Sequence, residues 1–231
     1  MPPAPRRALL LVNPFARTGD GPLDATLAAL VAGGIAAIAH PWPGRDQIGD
    51  LIRTEAPHYD LAIIGGGDGS LNAAAAALAE TRLPLGVLPL GTANDFARTL
   101  SIPPDPVAAA RLICTSVPRP IDLGAVNGHP FLNVASIGFS ADLARELTTQ
   151  AKKRFGVAGY GLVAARLLVQ SRLFTAYVEH DETVETVRTL QVSVGNGHYY
   201  GGGLAIAADA TAEDARLDFY SLGVRNWWRL L

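Results

Sequence analysis

The apolar and polar positions repeat in two different ways along this chain, and the change falls near residue 120. Before it, apolar runs of strand length alternate with longer stretches of helix-forming residues. Such alternation predicts a parallel sheet with helices on both faces, a Rossmann-like α/β domain over residues 1–120, with ligands at the carboxyl ends of the strands. The predicted strands are residues 8–12, 35–40, 61–64 and 85–88, and the predicted helices are residues 22–31, 45–56, 70–80 and 106–113.

Beyond Pro118 and Pro120 the apolar pattern becomes typical of short strands. We therefore expect a second, mainly antiparallel, β-sandwich-like domain over residues 121–231. The predicted strands of this domain are residues 131–136, 175–180, 188–196, 204–207 and 217–222, and its predicted helices are residues 141–149 and 159–171.

Composition narrows the class of protein. Of the 231 residues, 49% are hydrophobic and 17% are charged, so the chain is neither disordered nor fibrous. A net charge of −2 argues against nucleic acid as a partner of the whole surface, and the single Cys114 allows no internal disulfide, as in a reducing cytoplasm. No apolar run reaches the length of a membrane span, so we expect no transmembrane segment. Nothing in the composition indicates an oligomeric state.

One glycine-rich turn carries the strongest chemical signal. A buried apolar run leads into Gly65-Gly66-Gly67-Asp68-Gly69-Ser70-Leu71-Asn72, and an alanine-rich segment of high helix propensity follows. Glycines let a ligand approach the backbone, and the N–H groups at the start of a helix favour phosphate. The carboxylate of Asp68 would repel a phosphate unless a cation lies between them, which indicates a metal–nucleotide ligand.

Other turns are expected at the same edge of the sheet. Asn13-Pro14 follows the first strand and leads to Arg17, whose guanidinium is long enough to reach a phosphate there. The run from Leu88 to Arg98 follows the fourth strand, and its Thr92 and Asn94 offer hydroxyl and amide contacts. Its Asp95 is either a helix cap or a ligand of ribose or metal-bound water. Singly, each turn is typical of an ordinary loop; together they favour a phosphate site.

These motifs resemble the diacylglycerol kinase catalytic-domain family, which includes bacterial lipid kinases and sphingosine kinases. The resemblance rests on Asn13-Pro14, on residues 66–72 and on residues 89–98, and it runs from about residue 8 to the end of the chain. The third motif is the most specific, because NAD kinases and phosphofructokinases share the second motif but lack the third. Ser70 stands where the family has threonine, and Pro41 stands where bacterial relatives place a threonine after the second strand.

The resemblance implies an ATP-dependent lipid kinase that transfers the γ-phosphate to a hydroxyl of a diacylglycerol-like or sphingoid-like lipid. The implied cofactors are ATP and Mg²⁺, and Asp68 would belong to the polar network around the reacting phosphate and metal. The residues expected to bind the nucleotide are Asn13, Arg17, Gly65, Gly66, Gly67, Asp68, Gly69, Ser70, Leu71, Asn72, Gly91, Thr92, Asn94 and Asp95.

Residues 211–218 resemble a family segment that binds a structural Mg²⁺. The resemblance implies the carboxylate of Asp214 as a ligand, together with the backbone carbonyls of Thr211 and Arg216, and such hard oxygens suit Mg²⁺. Ala215 replaces the usual glycine, so it strains the loop and weakens the site if this position needs a positive φ. The alternative for Asp214 is an acid that only caps a helix or a turn.

A basic cluster, Lys152-Lys153-Arg154, precedes an apolar helical pattern over residues 159–169. Such a pair suits docking to anionic lipid, although the sequence slightly favours the alternative below. With the single cysteine and the resemblance, the expectation is a cytoplasmic protein, peripheral at the inner membrane face, with a lipid substrate at the membrane surface. The alternative is a solvated charge run before an ordinary core helix.

The chain stops inside an amphipathic segment, residues 224–231, and has no Asp-Gly-Glu triplet, whose acids take the base role in the family. We therefore expect a truncated chain and assign no general base. Two alternatives to a lipid kinase stay open: a catalytically incomplete nucleotide-binding regulator, and a soluble-substrate kinase related to NAD kinase.

Overall fold

The computed structural model describes residues 5–16, 23–146, 166–205 and 210–223. The chain forms two compact units. The first unit comprises Met1–Asn133 and Asn196–Arg216, and the second comprises Val134–Gly195 and Leu217–Leu231. The predicted boundary near residue 120 therefore differs from the division that the contacts give, because residues 121–133 and 196–216 pack with the first unit.

A four-stranded parallel sheet forms the centre of the first unit, as predicted. Its strands lie in the order β2-β1-β3-β4, with β1 as Arg6–Val12, β2 as Ile35–His40, β3 as Leu61–Gly66 and β4 as Leu85–Pro89. All three pairings are parallel, so the carboxyl ends of the strands meet at one edge. The turns that follow β1, β3 and β4 consequently lie at that edge.

Helices cover both faces of the sheet because alternate residues of each strand point to opposite sides. Leu9 and Ile64 belong to one buried cluster, whereas Leu10 and Ile63 belong to the other. The helices of this part are α1 (Leu23–Ala32), α2 (Ile48–Glu55), α3 (Asp68–Thr81), α4 (Asp95–Thr99) and α5 (Pro106–Thr115), with a short 3₁₀ helix at Ala56–His58.

The second helix starts later than its predicted first residue, 45. Gly44 has a φ of +95°, and its carbonyl accepts a hydrogen bond from the amide of Ile48 at 3.1 Å. Residues 45–47 therefore form a turn before α2, and Arg45 lies outside the helix. Farther along α2, the guanidinium of Arg53 bonds the carboxylate of Glu80 on α3 and lowers the pKa of that carboxyl.

A β-hairpin, β5 (Gly124–Val126) and β6 (His129–Phe131), follows α5 in the first unit. Its two-residue turn, Asn127-Gly128, has positive φ at both positions, the geometry that favours a tight hairpin. The strand predicted over residues 131–136 is split, because β6 ends at Phe131 and the next strand begins at Val134.

The second unit is antiparallel, as predicted. Its three-stranded sheet has the order β13-β10-β7, with β7 as Val134–Gly138, β10 as Gln191–Gly195 and β13 as Asp218–Ser221. A long ribbon pairs β8 (Phe174–His180) with β9 (Thr183–Thr189), so the strand predicted over residues 188–196 is interrupted at Leu190. Helix α6 spans Phe139–Glu146, and residues 166–170 are helical; residues 147–149 and 159–165 of the two predicted helices lie outside the described residues.

The chain then returns to the first unit with a short ribbon of β11 (Tyr199–Tyr200) and β12 (Leu204–Ala205). Residues 206 and 207 of the strand predicted there lie outside the described residues. In the ranges that the structure describes, no helix has the length and apolar character needed to cross a membrane. The basic cluster at residues 152–154 also lies outside those ranges.

Candidate functional site

The two glycine turns meet at the carboxyl edge of the parallel sheet. A Cβ built on Gly91 would lie 2.4 Å from the Cα of Gly67, and one built on Gly67 would lie 3.0 Å from the Cα of Gly91. A side chain at position 91 would therefore force the backbone to move, and one at position 67 would be tightly crowded. The turn after β3 and the turn after β4 therefore form one continuous surface.

Free backbone donors lie at the start of α3. In the part of the chain that the structure describes, the N–H groups of Gly67, Asp68 and Gly69 have no hydrogen-bond acceptor. The next amide, that of Ser70, is already bonded to the carbonyl of Gly67 at 2.8 Å. Successive unpaired N–H groups at the positive end of a helix attract an anion. The turn thus has the donors that a phosphate needs.

The carboxylate of Asp68 bonds to the other turn. Its Oδ1 accepts a hydrogen bond from the amide of Phe96 at 2.8 Å, and its Oδ2 accepts one from the amide of Asp95 at 3.2 Å. Asp68 therefore caps the N-terminus of α4, a structural task that the sequence did not reveal. A carboxylate has further lone pairs, so this task is compatible with a second contact to a ligand or cation.

Asn94 has a left-handed backbone conformation, with a φ of +51°, and its side chain stabilises its own loop by hydrogen bonds. Its Oδ1 accepts from the amide of Gly91 at 2.9 Å, and its Nδ2 donates to the carbonyls of Gly91 and Pro89 at 3.0 and 3.3 Å. The side-chain amide of Asn94 thus holds the turn in shape, and its expected contact with a nucleotide stays a prediction. Thr92, at the tip of the same turn, is exposed.

Asn13 and Ser70 bond to each other inside the protein. The Nδ2 of Asn13 donates to the Oγ of Ser70 at 2.9 Å, and the Oδ1 of Asn13 accepts from the amide of Phe15 at 2.9 Å. Ser70 is only 1% exposed. Its hydroxyl therefore connects the β1 turn to α3, and the expected contact of Ser70 with the nucleotide stays a prediction.

Other expected residues have internal tasks too. The side chain of Leu71 is buried in the core, and Gly65 packs beneath Leu90. Asn72 accepts a hydrogen bond from the amide of Leu132 at 3.1 Å through its Oδ1, which connects α3 to the chain beyond β6. Gly66 is buried as the last residue of β3. Arg17 lies outside the described residues.

The carboxylate of Asp95 is buried, and only one of its two oxygens has a hydrogen-bond donor among the described residues. Its Oδ2 accepts a hydrogen bond from the amide of Gly202 at 2.8 Å, which fixes the loop before β12. Its Oδ1 is buried and has no partner among the residues that the structure describes. A buried carboxylate oxygen without a donor is costly, so a ligand group, a water or a cation is expected to satisfy it. Asn94, rather than Asp95, holds the N-cap position of α4.

A cation that the sequence did not single out lies against the first turn of α3. The Nη2 of Arg45 would lie 2.9 Å from a Cβ built on Gly69. Arg45 is exposed, and it follows the loop after β2. In the sequence it is a lone arginine after the predicted second strand, and the prediction made it the first residue of the next helix.

In the loop at residues 211–216, two side chains accept hydrogen bonds from nearby backbone amides. The Oδ1 of Asp214 accepts from the amide of Arg216 at 3.0 Å, and the Oγ1 of Thr211 accepts from the amide of Glu213 at 3.2 Å. The φ of Ala215 is +57°, which is the positive value at which strain was expected for an alanine in this loop. Over residues 5–16, 23–146, 166–205 and 210–223, no group of three or more acidic, histidine or cysteine side chains is arranged to hold a metal ion.

A second carboxylate belongs to this loop, and sequence reasoning missed it. Asp122 accepts a hydrogen bond from the amide of Ala215 at 2.6 Å, and its own amide donates to the carbonyl of Ala212 at 2.8 Å. The Nδ2 of Asn196 then donates to the carbonyls of Asp122 and Leu132 at 2.7 and 2.9 Å. These bonds connect the loop to Leu132, whose amide bonds α3.

Comparison with known proteins agrees with this arrangement. Residues 7–126 match the family model of the diacylglycerol kinase catalytic domain, and residues 133–226 match that of the YegS C-terminal NAD kinase beta sandwich-like domain. The chain is 35% identical over 213 residues to the "Probable lipid kinase YegS-like" of Pseudomonas aeruginosa (strain UCBPP-PA14), covering 91% of this chain and 70% of the relative.

A second relative and a solved structure give the same picture. The protein of the same name from Chromohalobacter salexigens is 33% identical over 193 residues, which cover 81% of this chain and 61% of that protein. The crystal structure of a diacylglycerol kinase from Bacillus anthracis str. Sterne superposes with a TM-score of 0.73 at 26% identity, over 97% of this chain and 78% of that one.

Proposed function

The chain belongs to the diacylglycerol kinase catalytic-domain family, and from that membership we propose that it transfers the γ-phosphate of ATP to a lipid hydroxyl. The observation that carries the nucleotide part of this proposal is the row of N–H groups at Gly67, Asp68 and Gly69, which have no acceptor among the described residues. They lie beside a second glycine turn at the edge where parallel sheets bind ligands.

In this proposal the phosphate chain of ATP lies on the N-terminus of α3. The amides of residues 67–69 donate to phosphate oxygens, and the helix dipole adds partial positive charge. Thr92 is free at the surface to contact the nucleotide from the other turn. Because phosphoryl transfer needs mostly positioning and charge neutralisation, these fixed donors are the chief contribution of this region.

Two roles are proposed for Mg²⁺. One ion accompanies ATP and neutralises phosphate charge, with Asp68 and the unpaired Oδ1 of Asp95 as the nearby acids. A structural ion is proposed at the loop of residues 211–216, held by the carboxylate of Asp214 and the carbonyls of Thr211 and Arg216. The donors there are hard oxygens, and Asp122 adds a second carboxylate to the loop.

The acceptor is proposed to be a lipid at the surface of a membrane, with the protein in the cytoplasm and peripheral to the inner face. The names of the relatives, probable lipid kinases, support a lipid as the acceptor class. Diacylglycerol-like and sphingoid-like lipids are the proposed classes within it.

The test is a transfer assay with radiolabelled ATP. The protein is mixed with vesicles that contain diacylglycerol, phosphatidylglycerol, a sphingoid base or a polyprenol, and the products are partitioned between chloroform and water. We expect label from the γ-phosphate in the organic phase with at least one of these lipids. Gly91→Ala serves as the inactive reference, because its Cβ would force the two glycine turns apart.

Other outcomes point to other functions. Label that enters only a water-soluble product supports a soluble-substrate kinase related to NAD kinase. ATP binding without transfer to any lipid or soluble acceptor supports a nucleotide-binding regulator. Absence of ATP binding by the folded wild-type protein would overturn the nucleotide site itself.

A further inference from the structure

The position of Arg45 suggests a phosphate contact that the glycine turns alone do not supply. We infer that Arg45 binds the phosphate chain of the nucleotide directly, from the β2 side of the site. This inference rests on the proposed function, because it assumes that a nucleoside triphosphate occupies the N-terminus of α3.

The backbone places Arg45 for this task. Gly44, in the left-handed region at a φ of +95°, turns the chain after β2, and α2 begins only at Ile48. The guanidinium reaches the first turn of α3, where Nη2 would lie 2.9 Å and Cζ 3.1 Å from a Cβ on Gly69. Since Gly69 has no side chain, the planar group lies against bare backbone.

The electrostatics of this position are unfavourable without an anion. The N-terminus of a helix carries partial positive charge, which disfavours a cation there. The carboxylate of Asp68 in the same turn offsets part of that charge, but its two oxygens already accept hydrogen bonds from the amides of Asp95 and Phe96. In the described ranges Arg45 has neither an ion-pair partner nor a hydrogen-bond acceptor, whereas Arg53 on the next helix is paired with both Glu80 and Asp50. A negatively charged ligand between Arg45 and α3 would turn this repulsion into attraction.

The combined donor set matches a phosphate group. The amides of Gly67, Asp68 and Gly69 supply donors from the backbone, and a guanidinium supplies a flat fork of N–H groups that bonds two oxygens at once. A single carboxylate has only two oxygens, too few to accept from the three amides and the guanidinium together, so a phosphate group fits this donor set better. A polyphosphate brings enough charge to be held there together with a cation.

The test compares ligands that do and do not carry phosphates. Binding of ATP, inorganic tripolyphosphate and adenosine is measured by calorimetry for the wild type, Arg45→Gln and Arg45→Lys, with Mg²⁺ present. For Arg45→Gln we expect affinity for ATP and tripolyphosphate to fall at least about tenfold, with adenosine affinity unchanged. Arg45→Lys should recover part of the loss, because the charge remains while the fork is lost.

A matched control comes from the other end of the same helix. Arg82 is also exposed and follows the last residue of α3, so Arg82→Gln removes the same charge far from the proposed site. We expect Arg82→Gln to bind all three ligands as the wild type does. Melting temperatures of all variants are recorded, so that a general loss of folding is seen separately.

Three results would overturn the inference. Unchanged ATP and tripolyphosphate affinity in Arg45→Gln, with a wild type that binds ATP, refutes the role of Arg45 and leaves the proposed function standing. An equal loss for adenosine and ATP shows that Arg45 shapes the loop instead of holding phosphate. A wild type that binds neither ATP nor tripolyphosphate removes the proposed function, and this inference falls with it.

Discussion

The carboxylate of Asp68 accepts a hydrogen bond from the amide of Phe96 at 2.8 Å, so the acid of one glycine turn caps the helix that follows the other. The two residues are 28 positions apart in the chain. The acid of the G-G-D-G motif thus has a folding role, whatever it contributes to phosphate chemistry.

Removing this carboxylate should cost both stability and activity. We predict that Asp68→Ala lowers the free energy of unfolding by about 1 kcal/mol, the usual value of a lost helix cap, and abolishes lipid phosphorylation. Urea denaturation and the transfer assay measure the two effects. Turnover like that of the wild type would refute an active-site role for Asp68.

Asp105 provides the matched control for that variant. Its side chain caps α5 by accepting a hydrogen bond from the amide of Ala108 at 2.7 Å. Asp105→Ala should lower the free energy of unfolding by about as much as Asp68→Ala does, but its turnover should equal that of the wild type. Equal losses of turnover in both variants would mean that stability alone explains the effect at Asp68.

The contact between the glycine turns predicts a steric effect. Gly91→Ala should abolish ATP binding and lower the free energy of unfolding by about 1–3 kcal/mol, because its Cβ would lie 2.4 Å from the Cα of Gly67 and backbone must move. Gly223→Ala is the control, since its Cβ would meet only the carbonyl of Arg188 at 3.9 Å. Tight ATP binding by Gly91→Ala would contradict the close approach.

The left-handed conformation of Ala215 predicts a stabilising substitution. A φ of +57° costs alanine about 1–2 kcal/mol, and glycine relieves this at a smaller cost in chain entropy. Ala215→Gly should therefore raise the free energy of unfolding by about 0.5–1 kcal/mol. Chemical denaturation measures the change, and a repeat with added Mg²⁺ shows whether the relaxed loop binds the ion more tightly.

An alanine in a helix serves as the reference for this substitution. Ala79 is exposed in α3, so Ala79→Gly should lower the free energy of unfolding by about 1 kcal/mol. Opposite signs at the two alanines are expected. Destabilisation in both would show that position 215 does not need the glycine conformation.

The buried bond between Asn13 and Ser70 predicts an effect on stability without one on binding. Ser70→Ala leaves the side-chain Nδ2 of Asn13 without its acceptor and should lower the free energy of unfolding by about 1–3 kcal/mol. ATP affinity, measured well below the melting temperature, should stay close to that of the wild type, because the proposed phosphate contacts come from backbone. A selective loss of ATP affinity in a stable Ser70→Ala would show that the hydroxyl contacts the ligand.

Much of the first unit could be predicted because its signals are local. The strand at residues 35–40 has the predicted bounds, and the other strands and most helices differ by a few residues. Helix α3 begins two residues earlier than predicted, because three glycines and an acid are typical of a loop until the backbone turns at Gly67.

What could not be predicted depends on contacts between distant parts of the chain. The sequence assigned Ser70 and Asn94 to a ligand, and it did not reveal their internal hydrogen bonds: Ser70 bonds a residue 57 positions away, and Asn94 bonds within its own turn. The position of Arg45 outside α2 could not be predicted, because it depends on the positive φ of Gly44. The pattern of apolar residues does not reveal that φ. The roles of the remaining expected site residues stay predictions.

The buried hydroxyl of Ser70 bears on how this motif is used to recognise genes. A side chain that is sealed beneath the surface is required by the scaffold itself, so finding G-G-D-G-S in a new open reading frame identifies a shape before it identifies a reaction. Assigning chemistry to such frames calls for attention to solvent-facing neighbours outside the signature.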